Sequence, residues 1–315
     1  MTTTTTPTRL CGVIPPVCTP LTPDLDVDVP SLERLVDFLL DGGVDGLFTL
    51  GSTSEVAYLP DGHRRRVLET VVARVAGRVP VLAGVIDMTT LRVAEHIDDA
   101  VKAGCDGVVA TAPFYARTHP VEIENHFRFL AARSAVPVYA YDLPVSVHSA
   151  LDPAMLLRLA AEGVLAGVKD SSGDEGGMRR LLLARRAAGE EAARFSVLTG
   201  SELTVDSALG MGADGVVPGL GNVDPHGYTR LFRLCRDGDW AGARAEQERL
   251  VRLFDIVDAG GAHRMGRGSS ALGSFKTALH LRGVIGCPVT APPQIPLDPE
   301  ETARVEGLLK EAGLR

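Results

Sequence analysis

Lys169 is the residue from which chemistry can be argued first. The 315-residue chain holds four lysines against twenty-eight arginines. Lys102, Lys276 and Lys310 fall in helical patterns, where a solvated face is the ordinary reading. Lys169 instead ends an apolar strand-like run, where burying an ammonium is costly unless it is used. A desolvated lysine has a lowered pKa and becomes a nucleophilic amine, and such an amine forms Schiff bases with keto acids. The alternative is a strand-end lysine paired with Asp170 or another carboxylate. Tyr141 closes the preceding candidate strand. Neighbouring strands lie about 4.8 Å apart, so the two side chains can converge on one small molecule. A phenol there can relay protons, or it can be a packed aromatic with a satisfied hydroxyl. Ser52 and Thr53 follow Gly51 at the end of another apolar run. Their hydroxyls and backbone amides suit a carboxylate or phosphate, and equally suit a plain helix-capping loop.

These residues need a scaffold that gathers strand ends. Short apolar segments, read as strands buried on both faces, recur at 12–17, 46–50, 79–84, 107–111, 136–141, 165–169, 195–199 and 215–218. Helical stretches lie between them, among them 31–41, 90–103, 120–133 and 153–162, several opening on cap signals such as Asp152-Pro153. Eight strands each followed by a helix specify an α/β fold, the (β/α)8 TIM barrel. A doubly wound sheet would carry a phosphate loop after its first strand. Here that position reads Thr19-Pro20-Leu21-Thr22-Pro23, with no Gly-rich turn. Helical periodicity continues at 225–236, 240–255, 270–281 and 300–312. The expected organisation is a disordered tail at 1–9, a barrel at 10–235 and a C-terminal helical subdomain at 236–315. Barrel active sites sit at the C-terminal ends of the strands. That is where Ser52, Tyr115, Tyr141, Lys169 and Gly200 fall.

Composition narrows the class. Apolar residues make up 45% and charged residues 23%, so a sizeable core is possible and global disorder is excluded. The formal net charge is −8, and the one basic run, Arg64-Arg65-Arg66, lies in a helical pattern and reads as a solvated face, so no nucleic-acid partner is expected. No apolar run approaches the roughly 20 residues of a membrane span. The Thr/Pro tract at 1–8 lacks the apolar core of a signal peptide. The five cysteines are scattered and form no C-x-x-C pair, which argues against a zinc site or a disulfide framework. A cytoplasmic location is the expectation. Gly210-Met211-Gly212-Ala213-Asp214-Gly215 matches G-x-G-x-x-G but follows a helix and precedes a strand, the reverse of a dinucleotide site, so it reads as a turn. His148 and His226 lie near strand ends as secondary pocket candidates, and Cys18 reads as a small buried hydrophobe.

Three motifs, in this order, resemble those of the dihydrodipicolinate synthase/N-acetylneuraminate lyase family of class I pyruvate-dependent aldolases. Gly51-Ser52-Thr53-Ser54-Glu55 resembles G-[ST]-T-G-E, Tyr141-Asp142-Leu143-Pro144 resembles Y-N-x-P, and Gly167-Val168-Lys169-Asp170-Ser171-Ser172-Gly173-Asp174 resembles G-[IV]-K-[DE]-[SA]-[ST]-G-D. The resemblance runs from about Gly12 to the C-terminus. It implies a barrel with a C-terminal helical domain, usually a homotetramer built as a dimer of dimers, acting without metal or organic cofactor on pyruvate and an aldehyde. By it, Lys169 forms the Schiff base, Tyr141 relays protons, and Ser52 links Tyr141 to a second tyrosine. Thr53 helps hold the keto-acid carboxylate. Tyr115 matches the tyrosine that reaches a neighbouring subunit's site. Val217 matches an apolar residue whose backbone faces the Schiff base, and Gly200 is expected among the substrate contacts.

Three positions depart from the pattern: Ser54 stands for glycine, Asp142 for asparagine, and Ser146 for the arginine by which the dihydrodipicolinate synthase branch binds its aldehyde's carboxylate. Losing that guanidinium removes bidentate carboxylate recognition there, although Arg117 offers one from another loop. The resemblance therefore favours a lyase that cleaves 2-keto-3-deoxy sugar acids to pyruvate and an aldehyde, or runs the condensation. The alternatives are 4-hydroxy-tetrahydrodipicolinate synthase and a barrel that binds a keto acid without turnover.

Overall fold

The computed structural model describes residues 9–315. The expected tail lies outside the described residues except for Arg9, which reaches Asp214 at 2.9 Å. Eight strands follow: β1 (Gly12–Val13), β2 (Leu47–Thr49), β3 (Val81–Gly84), β4 (Gly107–Thr111), β5 (Val138–Asp142), β6 (Gly167–Asp170), β7 (Ser196–Thr199) and β8 (Gly215–Val216). Every strand position is buried, which is why the strands read as mostly apolar runs, with Asp142, Lys169 and Asp170 as charged residues at the ends of β5 and β6. All pairings are parallel, in the order β1-β8-β7-β6-β5-β4-β3-β2. The circle closes just past β1. There Pro16 bridges Phe48 in parallel, and Phe48 N donates to Pro15 O at 3.1 Å.

A helix follows each strand: α1 (Val29–Asp41), α2 (Asp61–Val75), α3 (Thr90–Ala103), α4 (Pro120–Arg133), the short α5 (Pro144–Val147) with α6 (Pro153–Ala161), α7 (Glu175–Ala187), α8 (Val205–Met211) and α9 (Pro225–Arg236). Three more come after the barrel: α10 (Trp240–Phe254), α11 (Arg267–Leu281) and α12 (Pro299–Glu311). One device starts many of them. Asp28, Asp152, Asp174, Asp224, Asp239 and Asp298 each accept a hydrogen bond from the backbone N–H three residues on, satisfying a donor the helix leaves free. α1 opens two residues before the expected start because Asp28 caps it and Pro30 fits its first turn. α5 lies between the expected strand 136–141 and the expected helix 153–162, and opens on Pro144.

The core has two layers. Ile14, Phe48, Leu82, Val109, Tyr139, Tyr141, Leu198 and Val217 fill the barrel, while a larger shell packs sheet against helices. Two expectations about charged residues are corrected here. Arg64 is not on a solvated face: it sits on the inward stripe of α2 with Val67, Leu68 and Val71, donating to Ile86 O at 3.2 Å. Lys276 is not solvated either; it lies on the buried face of α11 with Phe275 and Leu279 and is 1% exposed. Among the described residues no helix is long and apolar enough to cross a membrane.

Candidate active site

β5 and β6 carry the central pair. Tyr141 and Lys169 are register partners on adjacent strands. Because strand side chains alternate, both point into the barrel while Asp142 and Asp170 point outward. The outward pair lines a cavity of about 340 Å³ with Leu156, Met178 and Leu181. Lys169 is 7% exposed, its Nζ 4.2 Å from the Tyr141 ring centroid and 5.0 Å from that of Phe48. The rings meet edge to face at 6.3 Å. The ammonium is thus held against two π faces at the mouth of a filled barrel. The alternative pairing with Asp170 is not made: Asp170 Oδ1 accepts from Ser172 N at 2.8 Å on the other side of the strand.

The Tyr141 phenol responds to this placement. Burial raises its pKa, but the Lys169 charge and hydrogen bonding from Ser52, Lys169 and Ser171 outweigh it, so the net shift is downward from the ordinary value. A phenol that gives up its proton more readily beside an amine is suited to proton relay. Ser171, two residues after Lys169 in the same motif, is a further residue of this group, its hydroxyl bearing on Tyr141. Gly200 explains how Ser171 fits. A Cβ at Gly200 would lie 2.0 Å from Ser171 Oγ, so this glycine makes room for a neighbouring hydroxyl. Val217 packs in the same barrel cluster as Tyr141 and Phe48, and its N–H donates to Thr199 O at 2.8 Å.

Ser52 and Thr53 occupy a single 3-10 turn, Ser52–Ser54, after β2. Non-glycine residues in left-handed backbone bracket it: Leu50 at φ 56 and Glu55 at φ 62. Ser54 is fully buried, and its Oγ donates to Val17 O at 2.5 Å and accepts from Gly51 N at 3.2 Å. Thr19 Oγ1 donates to Ser54 O at 2.9 Å. The departure from glycine therefore ties the turn to the segment after β1. Ser52 stays exposed and Thr53 half-buried.

Tyr115 is not gathered with these residues. It projects from the loop after β4 in left-handed backbone, φ 75, and is 92% exposed. With Arg117, Val147 and His148 it lines an open cleft of about 620 Å³. His226 is exposed on α9. Asp142 carries its departure in its charge. Burial pushes its carboxyl up to about 6, despite the N–H of Leu151 at 3.1 Å, and Asp170 adds to the rise. Cys18 is buried, its thiol pushed up to about 12 by burial.

Glu202, in the loop after β7, had no assigned role. Its Oε1 accepts from Leu220 N at 2.6 Å and Tyr228 OH at 3.1 Å, clamping the segment after β8. Burial pushes its carboxyl up to about 7, against lowering by Leu220, Tyr228, Gly219 and Lys169. Its place at the end of the seventh apolar run, Thr199-Gly200-Ser201-Glu202, was the available signal.

The chain is similar to known proteins over nearly its whole length. The model of the dihydrodipicolinate synthetase family matches residues 9–312. An uncharacterized DapA-like lyase of Halobacterium salinarum is 32% identical over 308 residues, covering 98% of this chain and 96% of the relative. A 4-hydroxy-tetrahydrodipicolinate synthase of Phocaeicola vulgatus is 30% identical, covering 79% of this chain and 82% of its own. Among solved structures, the Escherichia coli protein YagE in complex with pyruvate superposes with a TM-score of 0.90 at 29% identity, covering 97% of this chain and 99% of that one. By sequence that relative, 29% identical, is described as a putative 2-dehydro-3-deoxy-D-gluconate aldolase.

Proposed function

The chain belongs to the dihydrodipicolinate synthetase family, and from that premise we propose that it is a class I aldolase whose Schiff-base lysine is Lys169. The observation that carries this reading is the placement of Lys169 Nζ inside the barrel mouth, 4.2 Å from the Tyr141 ring centroid. The amine adds to C2 of pyruvate, and the carbinolamine loses water to give a protonated imine. That imine is the electron sink. Loss of a C3 proton gives an enamine, which attacks an aldehyde carbon; the reverse sequence breaks the same bond. Tyr141, with Ser52 and Tyr115, moves the protons, and the turn carrying Ser52 and Thr53 receives the keto-acid carboxylate. Val217 and Gly200 shape the remaining wall.

The preferred substrate class is a 2-keto-3-deoxy sugar acid, cleaved to pyruvate and an aldehyde. Ser146 supports it by withholding the guanidinium that a second carboxylate needs, and the description of YagE as an aldolase for such an acid agrees. The second reading, 4-hydroxy-tetrahydrodipicolinate synthase, is favoured by Arg117, which lines the cleft beside Tyr115. Exposure of Tyr115 supports a homotetramer in which it completes a neighbour's site.

Borohydride reduction in the presence of pyruvate, read by peptide mass spectrometry, tests the mechanism. A reduced adduct on Lys169 is expected. A folded protein that yields no adduct, and is only thermally stabilised by keto acids without turnover across an aldehyde panel, would be a binding barrel instead. Aspartate semialdehyde against a 2-keto-3-deoxy sugar acid separates the two substrate classes.

A further inference from the structure

Glu55, one residue beyond the Ser52–Ser54 turn, is fully buried, and the opposite charge comes from far away in sequence. Its Oε1 forms an ion pair with Nζ of Lys276 on α11, whose side chain is 1% exposed. Its Oε2 accepts from Ala291 N at 2.6 Å and from Gln294 Nε2 at 3.4 Å. Lys276 Nζ also donates to Val289 O at 2.7 Å. Helix α11 and the 289–294 segment thus close on one carboxylate. The other end of that carboxylate's residue is the turn itself: Glu55 N donates to Ser52 O at 3.0 Å.

Two physical facts make this more than a stabilising contact. Left-handed backbone at a residue with a side chain is costly and persists only where its surroundings over-determine it. Glu55 and Leu50 both adopt it, at either end of the turn. A buried ion pair adds little net stability, because desolvation offsets attraction, while its directionality holds one geometry. We propose that Glu55 and Lys276 are positioning residues: through this pair the C-terminal helices hold the Ser52–Thr53 turn in the conformation that receives the keto-acid carboxylate. The inference rests on the function proposed above for its ligand, and on geometry alone for the positioning.

The test compares Lys276→Met, Glu55→Gln and the double variant. Lys276→Met leaves a buried carboxylate unpaired. Glu55→Gln keeps an acceptor for Ala291 N and serves if the first variant does not fold. The double variant removes both charges and is expected to recover thermal stability. Hydrogen exchange of amides 51–58 is expected to quicken about tenfold in all three. The KM for pyruvate is expected to rise about tenfold, with a smaller fall in kcat. A double variant with recovered melting temperature but mobile turn amides and raised KM supports positioning. One with recovered stability and wild-type exchange and KM overturns it. Exchange needs no substrate, so the two readings fail separately. Loose turn amides in the variants, with no pyruvate adduct on wild-type Lys169, uphold the positioning and remove pyruvate as ligand. An adduct with an unresponsive turn overturns the positioning and leaves the Schiff base.

Discussion

Lys169 is surrounded by ring faces, Phe48 and Tyr141, in place of a carboxylate. Attraction to the rings holds the head group in place without an ion pair to break before it reacts. Replacing Lys169 by alanine should abolish both the borohydride adduct and turnover. Tyr141→Phe removes the phenol while keeping the ring, so it should lower kcat by about 10²–10⁴-fold and leave pyruvate affinity within a few-fold; steady-state kinetics decide this. Asp142 yields a stability prediction with a pH window. Burial pushes its folded pKa up to about 6, above the ordinary carboxyl value of 3.8. A carboxyl raised on folding contributes stability that is fully present below about 3.8 and is lost as pH rises through about 6. Asp142→Asn keeps an oxygen for Leu151 N and carries no charge. It should therefore raise the melting temperature at pH 8, with the gain fading toward pH 4. An unchanged difference across that range would show that the carboxyl is not the source.

At the scale of elements, β3 sets the shape of the turn after β2. A Cβ on Gly84 would lie 1.9 Å from Leu50 O, which is backbone and cannot swing aside. Gly84→Ala should destabilise the fold by about 1–3 kcal/mol, measured as a shift in urea midpoint, and should raise the pyruvate KM through the displaced turn. The elements were largely legible in the sequence. Strands buried on both faces leave unbroken apolar runs, and aspartate three residues ahead of a free N–H marks helix starts. Their extents were less so: β1 and β8 have two paired residues each, because the chain leaves the ladder before the apolar run ends. Arg64 and Lys276 were misplaced for a related reason. A helical stripe shows which side faces inward, but long cationic side chains join it only where a carbonyl or carboxylate waits inside, and both partners here are remote in sequence.

At the scale of the whole molecule, Tyr115 stands apart from the Lys169–Tyr141 pair of its own barrel, on an open cleft. Its left-handed backbone and 92% exposure fit a side chain delivered to a second copy. Light scattering should give the mass of a tetramer. Mixing Lys169→Ala subunits with Tyr115→Phe subunits, after dissociation and reassembly, should restore activity above the sum of the parents, because each supplies what the other lacks. Activity no greater than that sum would confine each site to one chain.

The sequence alone determined the barrel, the chemistry-bearing types at its strand ends and the central pair, because strand periodicity and βα alternation are local properties that survive in one dimension. The tertiary structure alone decided which face each strand-end residue takes, and that Ser54 braces where a glycine was expected. It alone placed Glu202 as a clamp on the segment after β8 and set Lys276 opposite Glu55. Those outcomes depend on desolvation and on contacts between segments far apart in the chain, such as Ala291 and Glu55 at a separation of 236 residues. Neither desolvation nor distant contact leaves a mark on neighbouring letters.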